Sequence, residues 1–399
     1  MRVAFFTDSF HEVNGVAHTS RMLTATAERL GVPFQVVCAG PPDPDHGRSR
    51  LQMPRGPASF AVESDLFYDP LYYRHYATAD SHVRSFAPDV IHITGPSDVG
   101  TIGAVLAKKL GLPLVASWHT NLHEYAGERL PSLVPALLRR GATTAALQAL
   151  GAFYRLANVV MAPNPELLEI VERVSGRPGF LMRRGVDTLL FDPAKRTRSG
   201  PTLRIGCVGR LSVEKNIHFL TSIERHLLAH GIRDFKICII GDGAERDKLA
   251  RDLQHAEFTG VLRGEALSRA YADLDLFVFP SRTDTFGNVV LEALSSGVPA
   301  VVTASGGPKF IVRDGETGFV APDDDSFLAR TLTLASNADL RRKMGTQARL
   351  AAIGTTWENV FAEIEVAYRA AILRRGAPPR TPRAGGIHPT PVPMPRAQG

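Results

Sequence analysis

Short β-branched and aromatic runs alternate along the chain with stretches whose apolar positions recur every three or four residues, and the alternation occurs twice over. In the first half the pattern predicts strands over Val3–Thr7, Phe34–Ala39, Val90–Thr94, Leu114–Trp118 and Val159–Pro163, with helices such as Thr19–Leu30 and Gly100–Leu110 between them. In the second half it predicts strands over Leu203–Val208, Phe235–Ile240, Leu276–Phe279 and Ala300–Thr303. Strand–helix alternation of this kind implies doubly wound parallel sheets, so the expected class is α/β with two Rossmann-like domains facing a central cleft. The two halves share this architecture without repeating a sequence. A charged stretch with Gly and Pro, DPAKRTRSGP from Asp192, suits a linker over 192–202 between domains at 1–191 and 203–355. Trp357–Leu373 mixes apolar and charged positions at helical spacing, which predicts a crossover helix within 356–375 lying across both domains. The Pro- and Gly-rich segment 376–399 has little to bury and is expected to be disordered.

The 399 residues suffice for two domains with a core each, and 44% apolar and 22% charged residues are ordinary for a globular protein. No run approaches the roughly 18 apolar residues of a membrane span. The start, MRVAFFTDSF, shows no basic segment followed by a long apolar one, so no signal peptide is expected. Cys38, Cys207 and Cys238 sit singly in or beside strand-like runs, which supports neither a disulfide framework nor a zinc site. A reducing cytoplasm fits. The net charge of +6 and a pI near 9.3 favour acidic partners weakly, part of the excess lying in the tail. Without a helix-turn-helix, an RNP or a zinc-finger pattern, no nucleic-acid partner is expected.

Parallel α/β sheets bind ligands beyond the C-terminal ends of their strands, where helix N-termini point outward. A dinucleotide, a nucleoside triphosphate and a nucleotide sugar are then the classes to separate. The turn after the first strand, TDSFHEVNGVAH, lacks G-x-G-x-x-G, and Gly241-Asp242-Gly243 lacks the third glycine and reads as a turn. No G-x-x-x-x-G-K-[ST] occurs. VGRLSVEKN is different: Arg210 and Lys215 flank a strand-to-helix turn where a diphosphate would lie. In SRTDTFGNVVLEALSSG, Asp284 precedes Glu292 by eight residues across the mouth of a helix that starts near Gly287. In that helix Asn288, Glu292 and Ser295 share one stripe, and Val289, Val290, Ala293 and Leu294 take the buried side. Glu292 stands about 6–8 Å along the axis at ~1.5 Å per residue, too deep to cap the helix. Acids on either side of an anion site can each accept hydrogen bonds from a diol, one on a ribose and one on a hexose. Helix capping by Asp284 is the alternative.

At these residues the chain resembles the family-4 retaining glycosyltransferases of the GT-B fold. The shared pieces are GRLSVEKN, TDTFGNVVLE, ALSSGVPAVVTASGGP and DGETGFVAPDD, within Arg204–Asp325. The N-terminal half matches more loosely, through the NGV loop at Asn14–Val16 and SWHT at Ser117–Thr120. The resemblance implies that Glu292 holds the ribose and Asp284 the 3-hydroxyl side of the donor sugar. It implies that Arg210 and Lys215 neutralise the departing diphosphate and that Gly15 lets the backbone approach it. His119 would contact the sugar near the reacting carbon, and Phe286, Gly287 and Asn288 would line the donor site. Two departures stand out: the first acid is Asp where the family more often has Glu, and Lys309-Phe310 follow GGP where an acid is frequent. His92 is a candidate cleft-lining residue.

A diphosphate leaves without a proton, so charge stabilisation is the main task, unlike glycoside hydrolysis. The resemblance implies retention by front-side attack, and no convincing nucleophile is found. The activity expected is transfer of a hexose from GDP-mannose or a UDP-hexose to a lipid-linked or saccharide hydroxyl, without cofactor and without metal. A nucleotide-sugar epimerase of the same fold and a two-domain sugar-binding protein are the alternatives. From Arg129 to Pro165 no acidic residue occurs, while Arg129, Arg139, Arg140 and Arg155 lie among Leu133, Val134, Leu137, Leu138, Leu147, Leu150, Phe153, Tyr154 and Leu156. That span suggests peripheral association with anionic membrane, against the plainer reading of core-packed helices.

Overall fold

The structure is a computed structural model that describes residues 1–12, 14–41, 49–63, 66–119 and 136–375. The tail expected to be disordered, 376–399, and the residues 129–135 of the basic apolar span lie outside the described residues. The chain divides into two compact units, Met1–Arg183 joined by the chain from Trp357, and Arg184–Thr356.

The first unit is built on strands β1 (Val3–Thr7), β2 (Phe34–Ala39) and β3 (Arg50–Met53), a hairpin of β4 (Phe60–Glu63) and β5 (Leu66–Tyr68), then β6 (Val90–Ile93), β7 (Leu114–Ser117), β8 (Val159–Ala162) and β9 (Gly179–Leu181). Apart from the hairpin they form one parallel sheet in the order β3-β2-β1-β6-β7-β8-β9. Strand order reverses between β1 and β6, the place where doubly wound sheets open a crevice beyond their strand ends. Every residue of β1 and β2 is buried, as strands covered by helices on both faces must be. Helix Gly15–Arg29 starts at Asn14, whose side chain accepts from Ala17 N, and helix Asp98–Leu110 starts at Ser97, which accepts from Gly100 N.

The terminal helix, Trp357–Leu373, packs on this sheet. Trp357, Phe361, Ile364 and Tyr368 recur at helical spacing and are buried with Phe5, Phe34, Val36, Val115 and Val159. At about 1.5–3 kcal/mol for each large side chain buried, that stripe fixes the helix to the first unit.

The second unit carries β10 (Leu203–Val208), β11 (Phe235–Ile240), β12 (Ala256–Gly260), β13 (Leu276–Phe279), β14 (Ala300–Thr303) and β15 (Gly318–Ala321). All are parallel, in the order β12-β11-β10-β13-β14-β15, so the reversal falls between β10 and β13. The charged stretch from Asp192 is held within this unit because its charges are partnered there. Arg349 reaches Asp192 at 2.5 Å, and Arg196 and Arg198 meet Asp275 at 2.7 and 3.0 Å. Cys38, Cys207 and Cys238 are buried and not joined in disulfides.

Candidate active site

The loops leaving β10 and β13 meet at the reversal point of the second sheet. The first is shaped by close backbone approach. Gly209 and Gly241 both hold positive φ, and a Cβ on Gly241 would lie 1.9 Å from Gly209 O. Leu211 N donates to Asp242 O at 2.9 Å, and Glu245 N donates to Leu211 O at 3.1 Å. Gly241-Asp242-Gly243 is thus the turn that shapes the Arg210–Lys215 loop. Asn216, at φ +52°, closes that loop, and its Nδ2 donates to Pro280 O at 3.3 Å. Thr283 Oγ1 donates to Glu214 O at 3.2 Å, tying the second loop to the first.

This brings Lys215 and Asp284 together: Nζ to Oδ1 is 2.6 Å, with each side chain only about one-fifth exposed. The other oxygen, Asp284 Oδ2, is buried and takes no hydrogen bond among the described residues. A carboxylate oxygen in that state is rare, because desolvating it without a donor is costly. Arg210 is exposed, its Nε 3.9 Å from Glu214 Oε1.

The Asp284 loop is backed by the loop leaving β14. Gly307 N donates to Asp284 O at 2.7 Å, and a Cβ on Gly307 would sit 2.1 Å from Thr285 O. Gly307→Ala should therefore displace the Asp284 carboxylate. We expect a loss of about 1–3 kcal/mol in stability, the usual cost of overpacking, with a larger proportional loss of donor binding. Denaturant midpoints and a nucleotide titration on the same variant check this, and wild-type values in both would refute it.

Helix Asn288–Ser295 follows, entered through Gly287 at φ +101°, and no side chain caps its first turn. Val290, Leu291, Ala293 and Leu294 are buried, while Val289 is only half-buried. Ser295, expected on the polar stripe with Asn288 and Glu292, is buried instead and donates to Phe191 O at 2.7 Å, because the stretch before Asp192 packs over it. Glu292 accepts from Tyr271 OH at 2.9 Å, and desolvation pushes its carboxyl up to about 7 despite that hydrogen bond. Phe286, half-buried, lies 5.8 Å beneath the guanidinium of Arg184, itself buried, with burial lowering its pKa to about 10. Tyr271 and Arg184 were not candidates from the sequence. Neither sits in a motif, and only the folded chain brings them to Glu292 and Phe286.

Gly15 and His119 belong to the first unit. Gly15 opens its helix with nothing within 4 Å of where a Cβ would stand. His119, just beyond β7, is 7% exposed and shares a 2.7 Å hydrogen bond with Ser117 Oγ. His92 does not line any surface: it points into the core, fully buried. In the basic apolar span, Leu147 and Tyr154 are buried and Leu150 and Phe153 pack against the core, leaving Leu156 and Arg155 exposed. Arg129, Leu133 and Val134, and the side chains of Leu137, Leu138, Arg139 and Arg140, lie outside the described residues. Among the described residues no helix is long and apolar enough to cross a membrane, and no three His, Cys, Asp or Glu side chains are grouped to hold a metal.

Comparison with known proteins identifies the family. Residues 13–189 match the model described as Glycosyltransferase Family 4, and residues 202–337 match the model for Glycosyl transferases group 1. A GDP-mannose-dependent alpha-mannosyltransferase of Mycolicibacterium smegmatis is 30% identical over 388 residues, covering 94% of this chain and 99% of its own. Among solved structures, a sucrose-phosphate synthase from Thermosynechococcus elongatus superposes with a TM-score of 0.72 at 18% identity, over 92% of this chain and 98% of that one. Anabaena HepE in complex with UDP and glucose superposes with a TM-score of 0.68 at 18% identity, over 92% and 98%. With two Rossmann-like sheets and both family models matched in order, the chain belongs to the family-4, group 1 glycosyltransferases and is a hexosyltransferase of the GT-B fold.

Proposed function

We propose that the chain transfers mannose from GDP-mannose to a hydroxyl of a lipid-linked acceptor, with retention, and that the second unit holds the donor. The observation that carries the donor site is Asp284: Lys215 occupies Oδ1, and the buried Oδ2 is left for a sugar hydroxyl. Lys215 and Arg210 then face the diphosphate, whose charge grows as the bond to the anomeric carbon breaks. The uncapped amides at Gly287 and Asn288 add donors for the same anion. Glu292, once ionised, accepts from the ribose diol. Phe286 packs beside the donor, and Gly15 and His119 contribute from the first unit in the roles the family resemblance gives them.

The choice of GDP-mannose rests on the mannosyltransferase that matches this chain along nearly its whole length. Attack by the acceptor on the face the diphosphate leaves preserves the anomeric configuration, with no covalent enzyme intermediate. A cytoplasmic protein peripheral to an anionic membrane fits a lipid acceptor. Leu147, Leu150, Phe153 and Tyr154 are committed to the core and take no part in such an association. Protein cations neutralise the leaving group, so no divalent metal is required.

The test is transfer from radiolabelled GDP-mannose to a bacterial lipid extract in anionic vesicles, run in EDTA beside UDP-glucose. The expected result is mannolipid formation from GDP-mannose alone, unaffected by the chelator. Transfer from UDP-glucose instead would overturn the donor, and complete metal-reversible inhibition would overturn the role given to the cations.

A further inference from the structure

The first unit contains a buried chain of polar side chains that ends at His119. His119 Nε2 lies 2.7 Å from Ser117 Oγ, Ser117 Oγ lies 3.0 Å from His92 Nε2, and His92 Nδ1 lies 2.8 Å from Tyr368 OH. Ser117, His92 and Tyr368 are fully buried. The chain runs from the end of β7 through β6 to the terminal helix, across 276 residues of sequence between His92 and Tyr368.

The direction of each hydrogen bond follows from counting donors and acceptors. The hydroxyl of Tyr368 has one hydrogen-bond partner among the described residues, His92 Nδ1. A buried hydroxyl proton without an acceptor is costly, so Tyr368 donates and His92 Nδ1 accepts. Burial lowers the His92 pKa to about 3, so the ring is neutral and its single proton sits on Nε2. Nε2 then donates to Ser117 Oγ. The proton of Ser117 has two acceptors within reach, His119 Nε2 at 2.7 Å and Ile93 O at 3.3 Å, and takes the shorter. His119 Nε2 is therefore an acceptor, and a neutral His119 carries its proton on Nδ1.

We infer that Tyr368 and His92 are positioning residues which, through Ser117, fix His119 as the Nδ1–H tautomer. In that tautomer Nδ1 donates and Nε2 accepts. A catalytic consequence rests on the reading of His119 as a donor-sugar contact, and the tautomer does not. A residue on the last helix of the chain thus sets the hydrogen-bonding sense of a side chain at the end of β7.

Long-range proton–nitrogen spectra of the full chain labelled in its histidine rings decide the matter, with the His119 signals assigned by their loss in His119→Gln. The wild type should show the neutral His119 ring protonated at Nδ1 and bare at Nε2, and a neutral ring with its proton on Nε2 overturns the inference. Tyr368→Phe keeps the packing and removes the first donor of the chain, and Ser117→Ala cuts it at the last link. Either should turn the His119 signals into a tautomer mixture, and unchanged signals in both variants also overturn it. Kinetics separate the two claims. A fall in kcat of about three- to tenfold in Tyr368→Phe, with KM for the donor unchanged, joins the relay to catalysis; this is the size of a displaced contact rather than a lost catalytic group. A shifted tautomer with wild-type kcat leaves the relay standing and removes His119 from the donor site.

Discussion

In Lys215→Ala, kcat should fall by about two to three orders of magnitude while the protein keeps its fold. Removing a single preorganised donor from a developing oxyanion typically costs ~10²–10³ in rate, and the role proposed for Lys215 combines this with a second one. It holds Asp284 Oδ1 at 2.6 Å and so orients the carboxylate whose other oxygen awaits the sugar. The stability cost is about 1–3 kcal/mol, because the pair is only about one-fifth exposed and its loss leaves the Asp284 carboxylate unpartnered. The double variant Lys215→Ala/Asp284→Asn separates the two effects. It no longer carries an unpaired carboxylate, so its melting temperature should recover toward wild type while turnover stays low. If KM for the donor rises alone and kcat is kept, Lys215 binds ground state and transition state equally and does not assist departure of the diphosphate.

Glu292→Gln should weaken donor binding tenfold or more, and the loss should depend on pH. Charge-assisted hydrogen bonds contribute roughly 1.5–3 kcal/mol, and only an ionised carboxylate offers them to a ribose diol. In the free protein the carboxyl titrates at about 7, raised from 4.5 by desolvation. Donor binding to the ionised form therefore strengthens as pH rises through 7 in the wild type and stays flat in Glu292→Gln. Stability runs the opposite way. A folded pKa above the unfolded one means the neutral acid's contribution is complete below about 4.5 and is lost as pH rises through about 7. The amide keeps an acceptor for Tyr271 OH and is never ionised. Glu292→Gln should therefore melt higher than wild type at pH 8 without ligand, and bind worse. Melting curves and nucleotide titrations at pH 6 and pH 8 check both halves. A variant that is less stable at pH 8, or that binds the donor as wild type does, contradicts the assignment.

Much of this site can be read in the sequence because its parts are local. Arg210 and Lys215 lie on one strand-to-helix turn, and Asp284 to Glu292 lie on another, so motif spacing is enough to place each. The central strands are legible for the same reason: β1, β2, β10 and β11 are long apolar runs whose residues are nearly all buried. The edge strands carry less signal. Arg50–Met53 and Ala256–Gly260 are half-exposed, so burial does not select a run of apolar residues there. Residues recruited from distant elements left no trace in spacing. Tyr271 reaches Glu292 from the end of another helix, Arg184 covers Phe286 from the chain entering the second unit, and Tyr368 meets His92 from the terminal helix. The charged stretch from Asp192 looked like a linker because its charges suit solvent as well as they suit Asp275 and Arg349. Only the tertiary partners distinguish the two.

A crystal structure of the chain with GDP-mannose bears on the donor site directly. The diphosphate should lie within hydrogen-bonding distance of Lys215 and Arg210 at the mouth of helix Asn288–Ser295. The ribose diol should rest on Glu292, and a mannose hydroxyl should donate to Asp284 Oδ2. A nucleotide bound elsewhere, with Asp284 Oδ2 still unpartnered and Glu292 out of reach of the ribose, would contradict this account of the site.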